Sequence, residues 1–171
     1  KLARRSNRLC LKQLEKDQTN PQFNFQVAYT YLALREFDEA KKYLDLAIEK
    51  QYPAALFYSW VAWDNEWINY EEEPYDNLVK AAETNYFAKY HLAMSMMDKS
   101  YDEENSTKAE KSYKDGINFL KEIEFFLPAQ NYLLTEEIGN NALNYLKIKE
   151  ITEKIEANNQ NILKMYFNMG N

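Results

Sequence analysis

The stretch "LAIEKQYPAA" (Leu46–Ala55) is nearly repeated by "KAAETNYFAK" (Lys80–Lys89). When the two stretches are aligned, identical residues fall 34 positions apart: Ala47 and Ala81, Glu49 and Glu83, Tyr52 and Tyr86, Ala54 and Ala88. Self-similarity at a period of 20 to 50 residues is typical of repeat proteins, in which each repeat is one small supersecondary unit. We therefore expect a repeated unit of about 34 residues to set the architecture.

Composition indicates which kind of repeat this is. The 171 residues are 46% hydrophobic and 15% aromatic, which is enough for a packed core, yet include only 3 Gly and 4 Pro. A β-rich fold needs turn residues every few positions, so the low number of Gly and Pro residues favours helices joined by short loops. The sequence predicts an all-α fold.

Apolar spacing locates the helices. Between Phe37 and Ile48 apolar residues recur every three or four positions, the period of an amphipathic helix, and a matching stripe precedes it around Ala28. This helix pair between Asn24 and Pro53 recurs along the chain. The further helices are expected at 54–69, 75–84, 88–98, 106–125 and 127–138, with a leading helix before Asn20, a break at 139–141 and a last helix toward Tyr166.

The repeated segments resemble a known superfamily. "FDEAKKYLDLAIEKQYP" (Phe37–Pro53) is similar to the second helix of a tetratricopeptide repeat, and "KAAETNYFAKYHLA" (Lys80–Ala93) resembles the Sel-like subfamily. The glycine that this subfamily carries after its KAAEQ element is absent, because Tyr52 and Tyr86 replace it. The resemblance implies a single domain over 1–171: a right-handed superhelical solenoid of about three to four antiparallel helix pairs with capping helices. Its parts are a leading helix at 1–18, repeats at 21–138 and a terminal capping helix at 141–168.

Charge is divided unevenly along the chain. Residues 1–12 contain five basic residues and no acid, whereas the whole chain carries −6, so the remainder carries −11. Such a body repels phosphate backbones, and five positive charges are too short a run to indicate nucleic-acid binding. We interpret the basic run as a solvated face of the leading helix and expect a basic partner for the acidic body.

The residues needed for catalysis or metal binding are scarce. His91 is the single histidine and Cys10 the single cysteine, 81 positions apart, so neither a nucleophile–base pair nor a metal-ligand spacing is present. The acidic loops lack the spacing of a calcium loop, and Gly116, Gly139 and Gly170 cannot form a phosphate-binding loop. We expect no enzyme, no cofactor and no metal.

Aromatic residues are the more informative candidates. Trp60, Trp63 and Trp67 are spaced i, i+3, i+7, which places them on one face if they share a helix. One interpretation is that this stripe packs against the next helix; the other is that it lines a concave groove formed by the first helices of the repeats, which the resemblance implies is a peptide-binding surface. Transfer of the groove positions by the 34-residue offset predicts these partner-binding residues: Phe25, Tyr29, Trp63, Glu66, Trp67, Tyr90, Met97 and Tyr101.

The function that follows is a non-catalytic protein–protein interaction module. The resemblance implies an adaptor or a specific inhibitor, since bacterial Sel-like proteins include immunity proteins that neutralise secreted toxins. The alternative is the helical regulatory portion of a larger multidomain protein or enzyme. The chain begins with Lys rather than Met, so we expect its natural start to have been removed. The compartment stays open between the cytoplasm and, if a signal peptide was removed, the periplasm.

Overall fold

The all-α prediction is confirmed. The structure, a computed structural model, describes the backbone of residues 2–140 and 145–169 and the side chains of residues 2–140 and 146–162. These residues form helices and contain no strand. The helices are α1 (Leu2–Leu14), α2 (Pro21–Leu34), α3 (Phe37–Glu49), α4 (Pro53–Asp64), α5 (Tyr75–Ala82), α6 (Tyr86–Asp102), α7 (Ser106–Glu122), α8 (Leu127–Asn140) and α9 (Tyr145–Met169). In this described part, no helix is both long and apolar enough to cross a membrane.

The helix starts follow from local sequence. Asn20 accepts hydrogen bonds from two backbone amides in the first turn of α2, at 3.0 and 3.3 Å, and Asn85 does the same for α6, at 2.9 and 3.3 Å. These side chains satisfy amides that have no partner within the helix. Pro21 and Pro53 begin α2 and α4, where a missing amide hydrogen costs nothing.

Three of the described helices are each followed by a non-glycine residue in a conformation that glycine usually adopts. Arg35, Gln51 and Glu66 follow α2, α3 and α4 and adopt left-handed backbone conformations, with φ of 59°, 54° and 57°. After each of them, the next backbone amide donates to the carbonyl five residues back, at 3.0, 3.1 and 2.8 Å. This is the Schellman motif, which glycine usually closes. Non-glycine residues therefore stop these helices, at a cost of about 1–2 kcal/mol each.

The chain divides into two compact units, Lys1–Ala88 and Lys89–Asn171. In the first unit, helices pack on their neighbours in sequence, from α1 on α2 through α4 on α5. Small residues fill the centre of this core: Ala28, Ala40, Ala47, Ala55 and Ala62 are all 0% exposed. Helices that meet through alanine approach closely, which buries larger side chains such as Leu44 around them.

The predicted burial of Ala47 and Ala81 is confirmed. Both residues are 0% exposed, on α3 and α5 respectively.

A polar contact is also buried in this unit: Asn7 donates to the Thr30 hydroxyl at 2.9 Å and so connects α1 to α2. A buried polar group must be paired to avoid a desolvation cost, so this contact fixes the position of α1.

The second unit contains a core of its own. Ala93 and Met97 of α6, Leu120 of α7 and Ala129 of α8 are buried together, and Gly116 lies where α7 meets α6. Helix α8 also packs on α7 and on α9. Two expectations about this unit differ from the structure: α8 passes through Gly139 and ends at Asn140, and α6 continues four residues beyond 98 to Asp102. The rest of the predicted break, at Asn141, lies outside the described residues.

Candidate functional site

The eight residues predicted to bind a partner divide between the two units. Five of them, Phe25, Tyr29, Trp63, Glu66 and Trp67, lie in the first unit, and three of them, Tyr90, Met97 and Tyr101, lie in the second.

Helix α4 ends earlier than its sequence indicated. It stops at Asp64, and Glu66 turns the chain through its left-handed conformation, so Trp67 leaves the helix. The expectation that Trp60, Trp63 and Trp67 share one helical face is therefore wrong for Trp67. Trp60 is only 7% exposed and belongs to the core, whereas Trp63 is half-buried.

Trp67 is held in place from outside the helix. Its ring lies parallel to that of Phe37, with centroids 6.2 Å apart and an angle of 2° between the planes. Offset stacking of this kind orients the indole while leaving it 38% exposed. The result is a large aromatic side chain that is fixed and accessible at once, as binding hot spots require.

The loop between α4 and α5 is anchored on the first unit by two further residues. Ile68 is 3% exposed within the core, and the Tyr70 hydroxyl donates to Asp45 Oδ1 at 3.3 Å. Lys41 pairs with the other oxygen of Asp45 at 2.6 Å and lies 4.7 Å from the centre of the Tyr70 ring. Burial raises the pKa of Tyr70, and the charge of Asp45 and the hydrogen bond to it raise it further. The loop is thus a fixed surface.

This fixed loop is strongly acidic. Residues 64–76 contain six carboxylates and no Lys or Arg. Five of these side chains are exposed and form no ion pair within the described part of the chain: Asp64, Glu66, Glu71, Glu72 and Asp76. Trp63, Asp64 and Glu66 line a depression of about 370 Å³ together with Ile68 and Asn69. We use the name acidic–aromatic surface for Trp63, Trp67 and the five exposed carboxylates, all of which lie within residues 63–76.

Phe25 and Tyr29 belong to a different surface of the same unit. Their ring centroids are 6.2 Å apart on α2, and both rings meet the edge of Tyr58 on α4, at 5.3 and 5.4 Å. Burial raises the pKa of Tyr58 to about 12, with a further contribution from Tyr29. Phe25 also contacts Tyr52, which lines a neighbouring depression of about 390 Å³. Tyr29 is 49% exposed and is the accessible member of this ring cluster.

The three candidates in the second unit have different surroundings. Tyr90 is half-buried, with its ring edge-on to that of Phe126 at 5.6 Å, and burial raises its pKa. Met97 is 1% exposed and part of the core, so its side chain does not lie on an open groove as expected. Tyr101 is 76% exposed near the end of α6.

Sequence reasoning missed two features of the acidic–aromatic surface. It did not identify Phe37 as the support of Trp67, because a stacking partner 30 residues away leaves no local pattern. It considered the acidic loops for calcium binding and counted them in the net charge, but of their acids it assigned only Glu66 to the binding site, although six carboxylates within thirteen residues were a readable signal.

Among the described residues, no group of three or more His, Cys, Asp or Glu side chains is placed to hold a metal ion. Tyr90 lies edge-on to His91 at 5.5 Å, and Cys10 is half-buried on α1. Comparison with protein-family models, curated proteins and solved structures finds no match to this chain.

Proposed function

We propose that this protein is a non-catalytic protein-binding module of the Sel-like tetratricopeptide type, acting as an adaptor or a specific inhibitor of the immunity kind. Its partner contributes a basic segment to the acidic–aromatic surface. The observation that carries this proposal is the acidic–aromatic surface: two tryptophans and five exposed carboxylates without an ion pair among the described residues, all within residues 63–76. Ile68 and Tyr70 anchor the loop between α4 and α5 within this segment.

The chemistry of this surface favours arginine in the partner. A guanidinium group stacks on the face of an indole and pairs with carboxylates through a planar fork of donors. Trp67 presents such a face, and Asp64 and Glu66 supply carboxylates on the same loop. Because the loop is already ordered, binding does not have to overcome the entropy of ordering it.

The repeat assignment is supported by burial at the positions on which the resemblance rests. Ala40, Leu44 and Ala47 of the first repeat are 0% exposed, as is Ala81 in the second. Ala88, Leu92 and Ala93 match the second Sel-like element, and all three are buried.

Fluorescence anisotropy with labelled 12-residue peptides tests the proposal. One peptide set contains arginine and leucine; a matched set has glutamine in place of arginine. We expect the arginine set alone to bind, with an affinity that falls steeply with salt because exposed charges are screened beyond about 8–10 Å. Trp67→Ala should leave the protein folded and weaken binding by about 2 kcal/mol or more.

Two matched double variants test whether peptide binding depends on this site or only on the net charge of the protein. Glu71→Gln with Glu72→Gln removes two charges from the acidic–aromatic surface, and Glu104→Gln with Glu124→Gln removes two exposed charges from the second unit. We expect only the first pair to weaken peptide binding. Equal weakening by both pairs, or equal binding of both peptide sets, would contradict the proposed site.

A further inference from the structure

The outward face of α1 carries the opposite charge to the rest of the chain. Arg4, Arg5, Arg8 and Lys12 are all exposed, and none of them forms an ion pair within the described residues. Helix α1 contains no acid at all. Their side chains surround one depression of about 500 Å³ together with Leu9. These four cations lie on one face of the helix and form no ion pair there, so the face can bind an anionic surface.

Two exposed leucines accompany these cations. Leu2 is 88% exposed and Leu9 57%, and their spacing of seven residues places both on one side of the helix. Leu9 is also one turn from Arg5, so apolar and basic side chains adjoin. The opposite side of α1 is occupied, because Asn7 and Leu14 are buried in the first unit. The helix therefore keeps its packing while its basic and apolar face stays open.

This combination identifies the occupant by its chemistry. An anionic phospholipid surface offers phosphates and carboxylates to the cations and an apolar layer to the leucines, and a basic amphipathic helix suits such an interface. An acidic protein segment satisfies the cations but not two leucines about 10 Å apart along the helix. We propose that the outward face of α1 docks this protein onto an anionic membrane surface.

The charge of the remaining chain restricts how docking occurs. Outside residues 1–12 the net charge is −11, and an anionic bilayer repels it. Adsorption is therefore directed through the basic face of α1. Four cations and two leucines give reversible adsorption, in which each Lys or Arg strengthens binding about fivefold.

Co-sedimentation of the full chain with vesicles measures this binding. We expect binding to vesicles of phosphatidylcholine with 30–40% phosphatidylserine (roughly the anionic content that gives a surface potential of tens of millivolts) and none to phosphatidylcholine alone. Arg5→Gln with Arg8→Gln should weaken binding about twenty-five-fold. Leu9→Ser should weaken it about tenfold without any change in charge.

The matched control is Lys108→Gln with Lys121→Gln, which changes the net charge equally at exposed positions of the second unit. This control should bind like the parent chain, and circular dichroism checks that every variant is folded. A lack of binding to anionic vesicles, or equal weakening by the control pair, would overturn the proposal. So would a tighter interaction of the face with a polyglutamate peptide than with vesicles, since that result assigns it to an acidic protein.

Discussion

Gly116 on α7 offers a sharp test of the packing in the second unit, because two physical effects predict opposite outcomes for Gly116→Ala. Alanine is the better helix former by about 1 kcal/mol, so propensity alone predicts stabilisation. The structure predicts the reverse. A Cβ at this position would lie 2.8 Å from Met97 Cγ and 2.9 Å from the backbone oxygen of Ala93, both on α6.

The size of the clash decides between the two effects. Ordinary van der Waals contact begins at about 3.4 Å, so α7 would have to move off α6 by about half an ångström. Met97 cannot simply swing aside, because it is 1% exposed in a packed core, and the Ala93 oxygen belongs to the helix backbone. Overpacking costs about 1–3 kcal/mol, and an obstruction by backbone belongs at the upper end of that range. After the gain in propensity, we expect a net loss of about 1–2 kcal/mol.

Gly139→Ala is the matched control. A Cβ at Gly139 meets nothing within 4 Å, and its backbone φ is not positive, so only the helix propensity changes. We expect a gain of up to about 1 kcal/mol. For a chain of this length, 1 kcal/mol corresponds to about 2–4 °C in the melting temperature, so the two variants should shift it in opposite directions.

The assay should follow α-helix content by far-ultraviolet circular dichroism during urea unfolding. All three tryptophans lie in the first unit, so tryptophan fluorescence would miss a change confined to the second. An increase in stability for Gly116→Ala as large as that for Gly139→Ala would refute the close approach of α6 and α7.

Three further predictions concern the first unit. Ala47→Leu should destabilise it by about 1–3 kcal/mol in thermal unfolding, because Ala47 is fully buried, whereas Ala33→Leu at an exposed position should change little; equal effects would mean that the repeat register is wrong. Gln51→Gly should stabilise the protein by about 0.5–1 kcal/mol in urea unfolding, because glycine removes the cost of the left-handed backbone conformation but adds conformational freedom to the unfolded chain. A loss of stability would contradict the left-handed conformation at the end of α3. Burial raises the pKa of Tyr58 to about 12, so above pH 10 the unfolded chain releases a proton that the folded chain keeps, and the free energy of unfolding should fall from about pH 10 to 12. Tyr58→Phe should make that fall less steep. An unchanged slope would contradict the burial of this hydroxyl.

The parts of this fold that the sequence predicts are those governed by local periodicity. The all-α class, the helix pair around α3 and the burial of Ala47 and Ala81 all follow from apolar spacing and the 34-residue repeat. The end of α4 did not follow, since Asn65-Glu66-Trp67 contains no Gly or Pro to mark it. The helix stops there while Ile68 and Tyr70 are drawn onto the first unit, which is a tertiary effect.

The candidate site was predicted less well for the same reason. Transfer by a fixed offset assumes a regular register, and it assigned Met97 to a surface although its side chain is part of the core. Trp63 lies in the last turn of α4 and lines a depression with Glu66, whereas Trp67 follows in the loop rather than along a helical face. The stacking on Phe37 orients Trp67 while its side chain stays 38% exposed.

The neighbour-on-neighbour packing of the first unit has a consequence for how the chain acquires its structure during synthesis. Because α1 contacts α2 and α2 contacts α3, each helix meets its partner within a short stretch of sequence. Contacts of low sequence separation cost little loop-closure entropy and form quickly. Since α2 and α3 end at Leu34 and Glu49, they can pair outside the ribosome before the acidic segment 64–76 has emerged from the exit tunnel. That segment therefore emerges next to helices that have already packed together, and Ile68 and Tyr70 can then pack against them.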